Sequence, residues 1–65
     1  MTKDEAIKAM AEGGKLTHDS FTSDEWVAES SVGYKFEDGC QCSIFEFWQM
    51  RAGPSWNNGW SIFNN

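Results

Sequence analysis

The chain has 65 residues, ten carboxylates against five lysines and arginines, a net charge of −5, and five Phe, four Trp and one Tyr. Duplex DNA or RNA demands a row of phosphate-neutralising cations, and from Leu16 onward only Lys35 and Arg51 are basic, so duplex nucleic acid is excluded as a partner. A single domain spanning 1–65 is all this length provides, and so small a core calls for a staple: a metal, disulfides or a partner subunit.

The opening stretch MTKDEAIKAM lacks the apolar centre of a signal peptide. No run approaches the ~18 apolar residues of a membrane span, so no membrane partner is expected. Two cysteines without an export signal point to a cytoplasmic location. Thr2 and Glu5 form a capping box, with Asp4 and Glu5 in the first turn where the helix dipole favours negative charge. Ala6, Ile7, Met10 and Ala11 lie on one stripe, and Gly13-Gly14 stop the chain. The pattern predicts an amphipathic helix of about three turns packed on something apolar.

Residues 15–18 read as a short strand with Leu16 and His18 on one face. Asp19-Ser20 interrupts it, and residues 22–25 form a turn, at most one helical turn capped by Thr22. Extended structure resumes over 26–29 with Trp26 and Ala28 on one face. Ser30-Ser31 then connects to a strand over 32–36.

The stretch YKFEDGCQCSIFEFWQMR, residues 34–51, organises the rest. Asp38-Gly39 is a turn signal. A three-residue loop, Glu37-Asp38-Gly39, sets Phe36 opposite Cys40 and Tyr34 opposite Cys42, placing all four on one face with Gly39 at the left-handed position. Alternation ends at Cys42. Ser43 and Glu46 make a second capping box, and Ile44, Phe47, Trp48 and Arg51 follow at helical spacing until Gly53-Pro54 ends the helix near Ala52. Asn57-Asn58-Gly59 leads into a closing strand over 60–63. The fold class is therefore α+β: a small twisted antiparallel sheet with an N-terminal amphipathic helix and a second short helix. The first helix covers one sheet face; the second helix or another subunit covers the other.

Catalysis has little to draw on. His18 is the one histidine, and a lone His in a short strand is expected as a surface or hydrogen-bonded residue rather than a general base. Asp4, Glu5, Asp38 and Glu46 already have structural duties in caps and turns. Cys40-x-Cys42 with His18 falls short of the four ligands zinc takes, and burial of two small thiols is the simpler expectation. No enzyme activity, metal or cofactor is expected. The aromatic set is more informative, because one core of this size hardly covers ten rings. Trp48 and Phe47 are adjacent on a helix, and Trp56, Trp60 and Phe63 crowd the end of the chain beside Asn57, Asn58 and Arg51. Indoles stack on nucleobases, amides read base or ribose edges, and a guanidinium clamps phosphate.

The segment AIKAMAEGGKLTHDSF, followed by FEDG, FW-x-x-R and NNGWSIF, resembles the small phage Thoeris anti-defence nucleotide sponges, a family to which some type II anti-CRISPR proteins are similar. Phe21, Asp38, Gly39, Trp48 and Trp60 stand on pattern positions. Phe21 replaces the usual Trp, His18-Asp19 replaces a basic pair, and a longer central insertion is missing. The resemblance implies an α+β protomer assembling into a homo-oligomer, a dimer or tetramer. It further implies a phage counter-defence protein of the infected bacterial cytoplasm that sequesters a small cyclic nucleotide intact between subunits. The candidate ligand-binding residues are Phe21, Trp26, Trp48, Arg51, Trp56, Asn57 and Asn58. The competing expectation, from the acidic charge, is an inhibitor that binds a basic host effector as a nucleic-acid mimic.

Overall fold

The computed structural model of the chain describes residues 1–64. Helix α1, Lys3–Ala11, begins at Thr2, whose hydroxyl accepts from Glu5 N–H while the Glu5 carboxylate accepts from Thr2 N–H at 2.8 Å. It ends in paired bonds from Gly14 N–H to Ala9 O (2.9 Å) and Gly13 N–H to Met10 O (3.0 Å), the arrangement that satisfies orphaned carbonyls at a helix end. Ala6 and Met10 are buried, as the stripe predicts, whereas Ala11 is exposed and Ala9 packs inward instead.

Five strands follow: β1 Leu16–His18, β2 Val27–Ser30, β3 Gly33–Phe36, β4 Gln41–Cys42 and β5 Trp60–Ile62. They form one antiparallel sheet in the order β4-β3-β2-β1-β5. Residues 22–25 are a turn, held by Thr22 N–H to the Glu25 carboxylate (2.9 Å) and Glu25 N–H to Thr22 O (3.1 Å). The three-residue hairpin loop is present: Phe36 N–H donates to Cys40 O at 2.8 Å, Tyr34 faces Cys42, and Gly39 has φ +88°. Cys40, however, is exposed at the loop mouth rather than buried.

The β2–β3 turn differs from the sequence expectation. Ser30 faces Gly33, so Ser31 and Val32 make the turn and Val32 leaves the strand. Gly33 decides this. Its φ is +143°, and a Cβ there would overlap the Cys42 carbonyl oxygen and lie 2.9 Å from Ser43 Cα. Only a residue without a side chain lets β3 pass the β4–α2 junction so closely.

Helix α2, Ile44–Gln49, starts at the Ser43–Glu46 capping box and stops one turn earlier than Gly53-Pro54 requires. A 3₁₀ turn, Pro54–Asn57, then leads to β5; Pro54 opens it at the position where proline suits a helix start. Phe47 is fully buried and meets Tyr34 edge-on at 4.9 Å between ring centroids. It belongs to the same cluster as Ala6, Met10, Leu16, Val27, Tyr34 and Trp60. Both helices therefore cover one sheet face. Of the two covers offered for the opposite face, a second helix or another subunit, α2 is ruled out, because Phe47 is the helix's one buried side chain and it points into the cluster that α1 already roofs. Alternation leaves Thr17, Ala28, Lys35, Gln41 and Ser61 on the uncovered face.

Of the ten aromatic residues, Phe45 alone is exposed. The load that the sequence assigns to a second surface is mostly absorbed by the core. Each large ring buried removes about 150–250 Å² from water. That is worth about 4–6 kcal/mol before entropy costs.

Gly33→Ala combines a forbidden φ with a backbone overlap, for an expected loss of about 3 kcal/mol. That is comparable with the whole stability of a domain of this size, about 3–10 kcal/mol, and a urea melt followed by circular dichroism measures it. Burial pushes the Tyr34 phenol above its ordinary value of 10.0, opposed by the Trp48 indole N–H that it accepts. The folded state thus holds the Tyr34 proton more tightly than the unfolded chain. Its contribution is whole below pH 10 and is lost as pH rises through the folded pKa. Urea midpoints should fall from about pH 9 to about pH 11 more in the parent than in Tyr34→Phe.

Candidate functional site

β1 and β5 pair Leu16 with Ile62, Thr17 with Ser61 and His18 with Trp60, which fixes the last two on the covered face. His18 is 5% exposed, its ring 4.7 Å from Trp60 and 4.3 Å from Trp56. Ser20 N–H lies 3.0 Å from Nδ1, so Nδ1 accepts and the ring proton sits on Nε2. Nε2 then donates to Asn58 O at 2.7 Å, with Ser55 O a second acceptor at 3.1 Å. This one side chain ties the 3₁₀ turn and the Asn57–Gly59 connection to β1. Asp19 N–H adds a bond to Gly59 O at 3.1 Å, and the Trp60 indole N–H donates to Trp56 O at 2.8 Å.

That scaffold holds Trp56, half-buried, against His18, with Phe21 6.0 Å away and also facing Trp60 edge-on at 5.9 Å. Asn57 and Asn58 are exposed beside Trp56, and the Asn58 carbonyl is spent on His18. Arg51 reaches the same place from the end of α2. Its guanidinium lies over Phe47 at 4.1 Å, Trp56 at 5.3 Å and Phe36 at 5.7 Å. Nη1 donates to Phe47 O at 3.3 Å, so the cation caps the helix C-terminus where the dipole favours it. Nε is buried with no hydrogen-bond partner among the described residues. Burial pulls the Arg51 pKa down, the Cys42 and Glu25 charges opposing; the guanidinium stays protonated at any ordinary pH.

The structure thus brings together Phe21, Arg51, Trp56, Asn57 and Asn58. Trp48 lies behind this group, separated from Trp56 by Trp60, whose ring is 5.5 Å from Trp48 and 5.8 Å from Trp56. Trp48 donates its indole N–H to Tyr34 Oη at 3.2 Å, and Lys3 of α1 stands over its ring at 4.8 Å. Trp26 is elsewhere. Alternation sets it with Ala28 on the uncovered side of the sheet, where it pairs with Phe63 at 6.4 Å and carries Lys15 over its ring at 4.5 Å.

His18, which the sequence presents as a surface or hydrogen-bonded residue, is buried and organises the cluster; nothing in its spacing announces the two carbonyls it joins. Cys42 is half-buried and Cys40 exposed, and both thiols are pushed above 9.0, Cys42 chiefly by burial and Cys40 by the Asp38 carboxylate. Neither favours the thiolate form in which cysteine attacks or binds metal. Among the described residues, no group of three or more His, Cys, Asp or Glu side chains is placed to hold a metal ion, no helix is long and apolar enough to cross a membrane, and the single chain encloses no pocket.

No family model matches the chain, and neither the curated proteins nor the solved structures contain a match.

Removing the His18 ring leaves two carbonyls short of a donor beside a void, an expected cost of about 3 kcal/mol for His18→Ala. Limited proteolysis should then cut within 53–59 at protease levels that leave the parent intact.

Proposed function

We propose that this chain binds a small cyclic nucleotide and holds it unaltered at a surface centred on Arg51 and Trp56, completed by a further copy of the same chain. The observation that carries the reading is the half-buried Arg51 guanidinium, stacked on Phe47 and Trp56 with Nε unpartnered among the described residues. A cation held by aromatic faces, with no carboxylate bonded to it among the described residues, suits an anionic group. Beside it, Trp56 and Phe21 offer flat apolar area for a base, and Asn57 and Asn58 offer amides for its edge.

The single chain supplies an open surface, so enclosure of the ligand falls to subunit contact in a dimer or tetramer. Trp26, on the opposite face of the sheet, is then available to a neighbouring subunit's ligand. Trp48 serves by backing Trp60. In the setting the resemblance implies, an infected bacterium, function is mass action: each messenger held is one fewer for the host effector, and affinity and copy number decide the outcome.

Isothermal titration calorimetry against a panel of cyclic mono- and dinucleotides tests this. One member should bind with a stoichiometry set by the oligomer and be recovered chemically unchanged. Arg51→Ala should weaken it about tenfold to a hundredfold, with Arg51→Lys intermediate because a point charge does not reproduce the planar fork. Equal affinity in the parent and Arg51→Ala removes Arg51 from the site; conversion of the nucleotide refutes sequestration.

A further inference from the structure

Exposed apolar side chains stand at the first turn of α2 and at the β2–β3 turn. Phe45 is 74% exposed, Val32 66% and Ile44 44%. Their backbones are neighbours, because the register that sets Tyr34 opposite Cys42 also presses Gly33 against Ser43 and so brings the β2–β3 turn, with Val32, beside the start of α2. Phe45 is the one exposed aromatic ring, every other being buried or partly buried, and exposed apolar side chains that stand together mark a contact site.

Its border is acidic. The Glu46 carboxylate lies 3.0 Å from Ser43 Oγ at the head of α2. Glu29 shares a row with Tyr34 and Cys42, immediately before the turn that presents Val32. The nearest cation along β3, Lys35, alternates onto the opposite face of the sheet.

We propose that Val32, Ile44 and Phe45 form a docking surface for a cationic amphipathic segment of another protein. The segment's apolar side chains would seat against Phe45, and its lysines or arginines would reach Glu29 and Glu46. Charge selects this occupant. A second copy carries the same net charge of −5, whereas a basic segment is attracted by that charge and by Glu29 and Glu46. An exposed aromatic with a ring of weaker polar contacts is the usual anchor of such an interface.

The probe is a fluorescein-labelled helical peptide of Leu and Lys at amphipathic spacing, followed by anisotropy at two salt concentrations, with a Leu/Glu peptide of the same pattern as control. The parent should bind the Leu/Lys peptide saturably and ignore the Leu/Glu peptide. Phe45→Ser, a surface change, should weaken binding about tenfold. The paired substitution Glu29→Gln with Glu46→Gln, in which the amide at position 46 still serves the helix cap, should weaken it and flatten its salt dependence. Undiminished binding by both Phe45→Ser and Val32→Ser overturns the proposal, since charge alone would then explain the association. So does a parent dimer in sedimentation equilibrium that Phe45→Ser dissociates, because a second copy would then be the occupant.

Discussion

The pairing of His18 with Trp60 across β1 and β5 is the constraint on which the remainder of this fold depends. An imidazole and an indole are set side by side on the covered face, and each then fastens a different part of the same connection. The imidazole takes the carbonyls of Ser55 and Asn58, and the indole takes that of Trp56. A stretch holding a proline, two glycines and two asparagines, with little apolar surface besides Trp56, is thereby held by side chains rather than by a ladder of its own. Within the chain these bonds and packed rings tie the connection down, and its two cysteines are both free.

The cations divide between aromatic partners. Lys3 lies over Trp48, Lys15 over Trp26 and Arg51 over Phe47, so three of the chain's five Lys and Arg side chains rest on rings. In an acidic protein this leaves carboxylates dominant on the remaining surface. The result is two unlike surfaces on one small body: one where a guanidinium and indole meet, and one where Val32, Ile44 and Phe45 are exposed.

How much of this is legible in the sequence varies with the range of the interaction responsible. Both capping boxes, the glycine stop after α1 and the three-residue hairpin loop are local, and Thr2, Glu5, Ser43, Glu46 and Asp38-Gly39 disclose them at fixed spacing. The α+β architecture follows from the order of such elements. The side of the sheet that α2 takes does not, since it depends on whether Phe47 reaches the cluster under α1, a matter of three-dimensional packing. Val32 defeats a strand reading for a similar reason: its β-branched side chain suits a strand, but the close passage of Gly33 past Cys42 and Ser43 shifts the turn onto it. The candidate site is partly legible. Arg51, Trp56 and the asparagines are near in sequence and remain near in space. Phe21 joins them only because His18 draws β1 and the terminal loop together, and strand alternation alone separates Trp26.

Met1 also meets β5. The Met1 ammonium donates to Trp60 O at 2.8 Å and Trp60 N–H donates to Met1 O at 3.3 Å, a contact between residues 59 apart in sequence. The β2–β3–β4–α2 segment is built from sequence neighbours. Closing β5 onto β1 and Met1 spans about four doublings of loop length beyond a tight turn, about 2.4 kcal/mol of additional chain entropy. Trp56, Asn57 and Asn58 ride on the segment that closes, so the Arg51–Trp56 surface rests on contacts between residues far apart in sequence.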